Sequence, residues 1–192
     1  MSSHDRSAAL LEDGKLWGAI AEERLDRRKR SEGLIPGQRT ASVLAPMQAI
    51  TALLRDRGVH LSDLDLVVCG RSVTSARESL TAQLPLDPAK VVEPSMPAHH
   101  IAHAYSAYAT SPFSSPAVLV VDEQGSHVDG YYERISWYQA RNGSLMPLDS
   151  FNGSVGQLSL GMFFDVVAGL VGLAEAGLPA AGKLMALAAF AP

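Results

Sequence analysis

Residues 99–122 read HHIAHAYSAYATSPFSSPAVLVVD. The first part holds three histidines among alanines and aromatics, with no proline before Pro112, and predicts a helix over His99–Ala109. The last part, Ala117–Val121, is a continuous apolar run bounded by Pro116 and Asp122, the pattern of a buried strand. On the helix, His99 and His103 are four residues apart and project from one face, a spacing at which two imidazoles hold one divalent metal. Asp122 ends the apolar run, and strand ends are where ligand sites of α/β sheets collect. Two histidines and one carboxylate form a facial set with open positions, suited to iron(II), manganese or zinc. The bland alternative is that one or two of these histidines cap or pack. His100 points elsewhere and is expected beside the metal set or against substrate.

Outward from this stretch, the chain alternates strands and helices. Two short apolar runs, Ser7–Leu11 and Leu16–Glu22, flank Asp13-Gly14, which predicts a β-hairpin. A helix is expected from a Thr40 cap to Arg57, with Val43, Met47, Ile50 and Leu54 on one face and Gly58 as its stop. Further expected elements are a buried strand at Asp65–Cys69, a helix at Val73–Leu84 and a strand at Lys90–Glu93. Gly130–Ala140 and Leu145–Phe151 predict two strands joined at Asn142-Gly143. Leu158–Leu173 and Gly182–Phe190 predict helices, with Phe163 and Phe164 in the core. The order implies an α/β fold with a mixed sheet and flanking helices.

The chain has 192 residues, 47% hydrophobic and 19% charged, which is globular composition and fits one domain. A net charge of −4 argues against binding nucleic acid through a basic surface. One cysteine, Cys69, excludes a disulfide framework and a cysteine-built zinc site, and it is expected to be a small buried side chain. Asp165 interrupts the apolar run at residues 158–174, so that run reads as a core helix and not as a membrane span. No secretory leader is expected at the N-terminus, and a cytoplasmic setting follows. Residues 24–30 hold five basic side chains, among them Arg24 and Lys29, and form a candidate anion site or a solvated connector.

Six ordered segments resemble one family. They are His4-Asp5-Arg6-Ser7-Ala8-Ala9-Leu10; Ala21-Glu22-Glu23-Arg24 with Arg27 and Lys29; and His99-His100-Ile101-Ala102-His103-Ala104 with Ser111-Pro112-Phe113. Val120-Val121-Asp122 with Gly125, Ser159-Leu160-Gly161-Met162-Phe163-Phe164 and Lys183-Leu184-Met185-Ala186-Leu187-Ala188 complete the set. Together they resemble the O-carbamoyltransferases of antibiotic tailoring and nodulation-factor biosynthesis, which are similar to the tRNA threonylcarbamoyl-transfer proteins. The resemblance implies a ribonuclease-H-like, actin-like ATPase lobe. It implies ATP and carbamoyl phosphate as substrates, a carbamoyl-adenylate made by a YrdC-like domain, and transfer of the carbamoyl group to a small-molecule hydroxyl acceptor beside a metal. It places the metal on His99, His103 and Asp122, iron(II) foremost, and an anion or substrate on Arg24 and Lys29. Proton transfer falls to His4 or His100, with Asp5 as an alternative.

The resemblance also implies that residues 1–192 are the N-terminal portion of the actin-like domain, with the second lobe and the YrdC-like domain absent. The chain is then expected to be incomplete alone and to act with a second chain that supplies the missing lobe. Residues 155–192 are the expected apolar interface. The competing expectation is a non-catalytic remnant or partner subunit that binds metal or protein.

Overall fold

The computed structural model describes residues 5–29, 31, 44–70, 76–175 and 178–190. Contacts divide the chain after Pro94 into two compact units, where composition and length had suggested one domain. The first unit opens with β1 (Ser7–Glu12) and β2 (Lys15–Ala21), an antiparallel hairpin. Its turn falls on Asp13 and Gly14, both at positive φ, as the Asp-Gly pair predicts. A single helical turn, α1 (Glu23–Asp26), follows, and then α2 (Met47–Arg57).

Helix α2 begins later than expected. Thr40 and Val43 lie outside the described residues, and the residue that precedes the first turn is Pro46. Its free N–H groups are met by the buried Glu22 carboxylate, which accepts from the amides of Gln48 (3.1 Å) and Ala49 (2.8 Å). Gly58 ends the helix in the left-handed conformation, as expected. Gly18 lets β2 close on α2, since a Cβ there would stand 3.0 Å from Leu53 Cδ2.

The unit continues with β3 (Val67–Val68), α3 (Ala76–Gln83) and β4 (Val91–Val92). β3 and β4 pair in parallel. The expected strand at Asp65–Cys69 shrinks to two residues, and Leu66 and Val68 are exposed instead of buried. Among the described residues the pair has no third strand, and nothing covers Leu66 and Val68.

The second unit starts with α4 (His99–Thr110) and β5 (Ala117–Val121), close to the predicted bounds. Next come β6 (His127–Val128), β7 (Tyr131–Arg141) and β8 (Ser144–Ser154). All pair antiparallel around β7, with β5 and β6 along one edge and β8 along the other. Asn142 and Gly143 take the positive φ of the predicted turn. Helix α4 lies on one face of this sheet. Ala104 and Ala140 are small and fully buried, so helix and sheet approach closely around Val118, Val120, Tyr138 and Leu145.

β5 was expected to be buried throughout. Only Val118 and Val120 are, while Leu119 and Val121 face outward, because one face of an antiparallel sheet is covered here. The chain ends in α5 (Leu160–Leu170), β9 (Ala174–Glu175), β10 (Leu178–Pro179) and α6 (Ala181–Leu187), then a 3-10 turn to Phe190. Phe163 and Phe164 are exposed, not core, because α5 buries only Ala168. The fold class is α/β. Parallel and antiparallel pairings both occur, in separate sheets among the described residues. No described helix is long and apolar enough to cross a membrane.

Candidate metal centre

Helix α4 and the end of β5 bring the three expected ligands together. The ligand atoms of His99, His103 and Asp122 all lie within 4.8 Å of one another. His99 Nε2 is 2.7 Å from Asp122 Oδ2 and 3.1 Å from His103 Nε2. If His99 Nε2–H donates to Asp122, the lone pair of His103 has only that same hydrogen to accept. Three donor atoms therefore converge on the place of one proton. A divalent ion satisfies all three, with bonds of about 2.0–2.2 Å. His103 is exposed and the other two are half-buried, which leaves the outer side of the set open to further ligands.

The electrostatics fit an acceptor set. The hydrogen bond from His99 holds the Asp122 carboxyl down at about 2, helped by the Glu123 amide, which donates to Oδ1 at 2.6 Å. The same pairing raises His99 against the opposing effect of its burial.

The turn that carries Asp122 is laced to β7. The Asp122 amide donates to the Arg134 carbonyl (3.0 Å), the Gly125 amide to the Glu133 carbonyl (2.8 Å), and the Glu133 amide to the Ser126 carbonyl (3.1 Å). β7 bulges here, since Glu133 faces Asn152 and Ile135 faces Phe151, leaving Arg134 without a partner on β8. Arg134 is 0% exposed and has no carboxylate partner among the described residues. Its guanidinium donates to the carbonyls of Glu123 and Ser154 and lies over the Tyr132 ring. Ser159 caps α5 by accepting from the Met162 amide, and its hydroxyl donates to the Glu123 carbonyl at 3.1 Å. Gly161 permits this seat, because a Cβ there would stand 2.7 Å from the Glu123 backbone.

The start of α4 is fixed by the same loop. Ser126 Oγ accepts from the amides of Ala98 and His99, each at 3.0 Å. Glu133 Oε2 accepts from the amides of Ser126 (2.9 Å) and His100 (3.4 Å). His100 is 0% exposed, and burial lowers its pKa. Its Nδ1 is 2.8 Å from Ser136 Oγ, while Nε2 has no hydrogen-bond partner among the described residues and rests against Gly125. It touches the protein interior, with no surface open to substrate.

The other expected site residues that are described belong to the first unit. His4 lies outside the described residues, and Asp5 is exposed at φ 60°. Arg24 (74% exposed) and Lys29 (56%) both lean on Glu23, at 3.9 and 3.8 Å, as solvated ion pairs on the first unit. Arg6 is an ordered cation of that unit. It donates to Ser31 and to the Ala45 carbonyl and pairs with Asp26. Cys69 is half-buried, and desolvation raises its thiol, which disfavours a nucleophile. Sequence reasoning missed Ser126, Glu133, Arg134 and Ser136. The signal available was a charged pair and a serine inside an otherwise apolar and aromatic strand.

The chain is similar to known proteins. The family model described as carbamoyltransferase N-terminus matches residues 72–191. The nodulation protein NolNO of Sinorhizobium fredii (strain NBRC 101917 / NGR234) is 29% identical over 206 residues, which cover 92% of this chain. The match covers 28% of NolNO, so the chain spans little more than a quarter of that relative. Among solved structures, YeaZ from Pseudomonas aeruginosa superposes with a TM-score of 0.45 and 17% identity over 96% of this chain and 85% of that one. The matched family segment contains His99, His103, Asp122 and the loop that seats them, and on it the chain belongs to the carbamoyltransferase family.

Proposed function

We propose that this chain carries the metal-binding part of an O-carbamoyltransferase, at which a carbamoyl group passes from carbamoyl-adenylate to the hydroxyl of a small-molecule acceptor. The observation that carries the reading is the convergence of His99, His103 and Asp122 on one point with an open outer side. Their nitrogen and carboxylate donors suit iron(II), manganese or zinc. When bound, the ion supplies a Lewis acid for the carbamoyl oxygen. His99 and His103, one helical turn apart, fix the ion's place on α4, and Asp122 contributes the negative charge. The loop laced to β7 fixes Asp122, so Ser126, Glu133, Arg134 and Ser159 are positioning residues. His100 keeps the helix start in place through Ser136. ATP and carbamoyl phosphate as the source of the carbamoyl group, and an actin-like lobe as the setting, belong to this same proposal.

The test uses a non-hydrolysable carbamoyl-adenylate analogue carrying 13C at its carbonyl. Manganese(II) bound to the chain is expected to speed relaxation of that carbon, and the effect is expected to vanish in His103→Ala. Manganese binding without enhanced relaxation would reject the carbamoyl assignment and leave a metal site alone.

A second reading is a partner subunit, and the exposed apolar side chains of α5 and the C-terminal turn favour it. Leu170 is 81% exposed and Phe190 83%. This is the segment expected from the sequence to be an interface, and its accessible face is apolar. Concentration-dependent self-association in sedimentation velocity, lost in Leu170→Asp with Phe190→Ser, is the expected sign. A monomer at high concentration rejects it.

A further inference from the structure

β5 (Ala117–Val121) ends its sheet. Among the described residues it pairs with β7 and with no other strand. The hydrogen bonds at the two ends of that ladder fix which main-chain groups are used. The Ala140 amide donates to the Pro116 carbonyl at 2.9 Å, and the Asp122 amide donates to the Arg134 carbonyl at 3.0 Å. In an antiparallel pair, successive residues point their main-chain groups to opposite sides. Pro116, Val118, Val120 and Asp122 therefore turn theirs to β7. Ala117, Leu119 and Val121 turn theirs outward, where no described residue meets them. The side chains of these same three residues are exposed, Leu119 by 56% and Val121 by 43%.

Edge strands are ordinarily blunted by proline, by charge or by a bulge. β8, on the other side of β7, has all of these devices. It carries Pro147 and Asp149, and it bulges at Leu148, since Trp137 faces Asp149 and Tyr138 faces Pro147. β5 has none of them. It reads Ala-Val-Leu-Val-Val, and its register with β7 is unbroken.

The open edge is also complementary to itself. About a two-fold axis at Leu119, an antiparallel second copy sets Leu119 opposite the partner's Leu119 and Ala117 opposite the partner's Val121. Each of these pairs brings outward groups to outward groups and exchanges two main-chain hydrogen bonds. No charge lies within the paired span, and Asp122 falls opposite the partner's Pro116, so like charges stay apart. The exposed side chains of Leu119 and Val121 then cover apolar neighbours on the same face.

We propose that β5 is the interface of a homodimer, in which two copies of this chain join antiparallel, edge to edge, into one continuous sheet. The pairing consumes β5 on both copies and so stops at two chains. It uses a surface other than α5 and the C-terminal turn, and it does not rest on the metal or carbamoyl reading.

The test is sedimentation velocity and residue-resolved amide exchange of the intact chain over a concentration series. A dimer is expected. Exchange of the Ala117, Leu119 and Val121 amides should slow as concentration rises, while the Val118 and Val120 amides, bonded to β7, are slow throughout. Leu119→Pro removes an outward donor and leaves the β7 ladder its bonds, and Leu119→Lys places a charge at the axis. Each should weaken association at least about tenfold with Val118 and Val120 still protected. Leu170→Asp with Phe190→Ser should leave this dimer intact. A monomer at high concentration overturns the proposal, even where a foreign extended peptide protects the same amides. So do a dimer that survives both Leu119 variants, loss of the dimer in the Leu170 and Phe190 variant alone, and assemblies that grow beyond two chains.

Discussion

His99 and His103 face each other Nε2 to Nε2 at 3.1 Å, one helical turn apart, with Asp122 Oδ2 2.7 Å from the first. Neutral imidazoles this close share one hydrogen or one cation between them. The arrangement gives pH a definite sign. Asp122 is lowered to about 2, so the stabilisation it gives the metal-free fold is present above the unfolded value near 3.9 and is lost as pH falls toward 2. His99 is raised, so its share is present below about 6.5 and is lost as pH rises through its folded value. Metal competes with the His99 proton and has the opposite dependence. Affinity should rise between pH 6 and 8 with release of about one proton per ion, measurable by calorimetry in buffers of different ionisation enthalpy. No proton release across that range would contradict the shared position.

Gly125 and Gly169 offer a paired substitution. A Cβ on Gly125 would stand 2.7 Å from His100 Cδ2 and 2.7 Å from Glu133 Cβ, both in a fixed interior. Gly125→Ala should destabilise by about 1–3 kcal/mol and weaken metal binding, because the helix start and the Asp122 turn meet there. Gly169 lies within α5 with open space around its Cα, so Gly169→Ala should stabilise by about 0.5–1 kcal/mol. Urea midpoints of the two variants check both signs.

Arg134 holds the Glu123 and Ser154 carbonyls from a bulge with no partner opposite it on β8. Arg134→Met keeps much of the volume and removes the donors. It should cost about 2–3 kcal/mol, as loss of charge-assisted hydrogen bonds does, and reduce metal affinity without touching a ligand. Unchanged affinity would show that the turn holds Asp122 without it.

Ser159 tests the same turn from the other side. Ser159→Ala should cost about 1 kcal/mol as a lost helix cap, with a further loss in metal affinity because the Glu123 carbonyl loses its hydroxyl donor. Ser159→Thr is expected to restore both.

Much of this site was legible in the sequence because its marks are local. A four-residue histidine spacing, an aspartate at a strand end and an Asn-Gly turn each follow from chain geometry, and each is where it was expected. What was not legible depends on distant residues. Glu22 caps a helix that begins 25 positions later, and no pattern in residues 21–30 separates it from Glu23. Arg134 is buried because a bulge turns it inward, and bulges leave no sequence period to read. Phe163 and Phe164 read as core from composition, yet the layer that would cover them is not among the described residues. The basic run at Arg24–Arg30 read as an anion site or a solvated connector, and in the fold Arg24 and Lys29 lean on the Glu23 carboxylate.

The most direct test of the metal centre is titration of the metal-free chain with iron(II), manganese(II) and zinc by calorimetry, beside His103→Ala and Asp122→Ala. One ion per chain is expected, with affinity at least about tenfold weaker in each variant while both stay folded. A folded wild-type chain that binds no ion, or variants that bind as tightly as the wild type, would contradict the site.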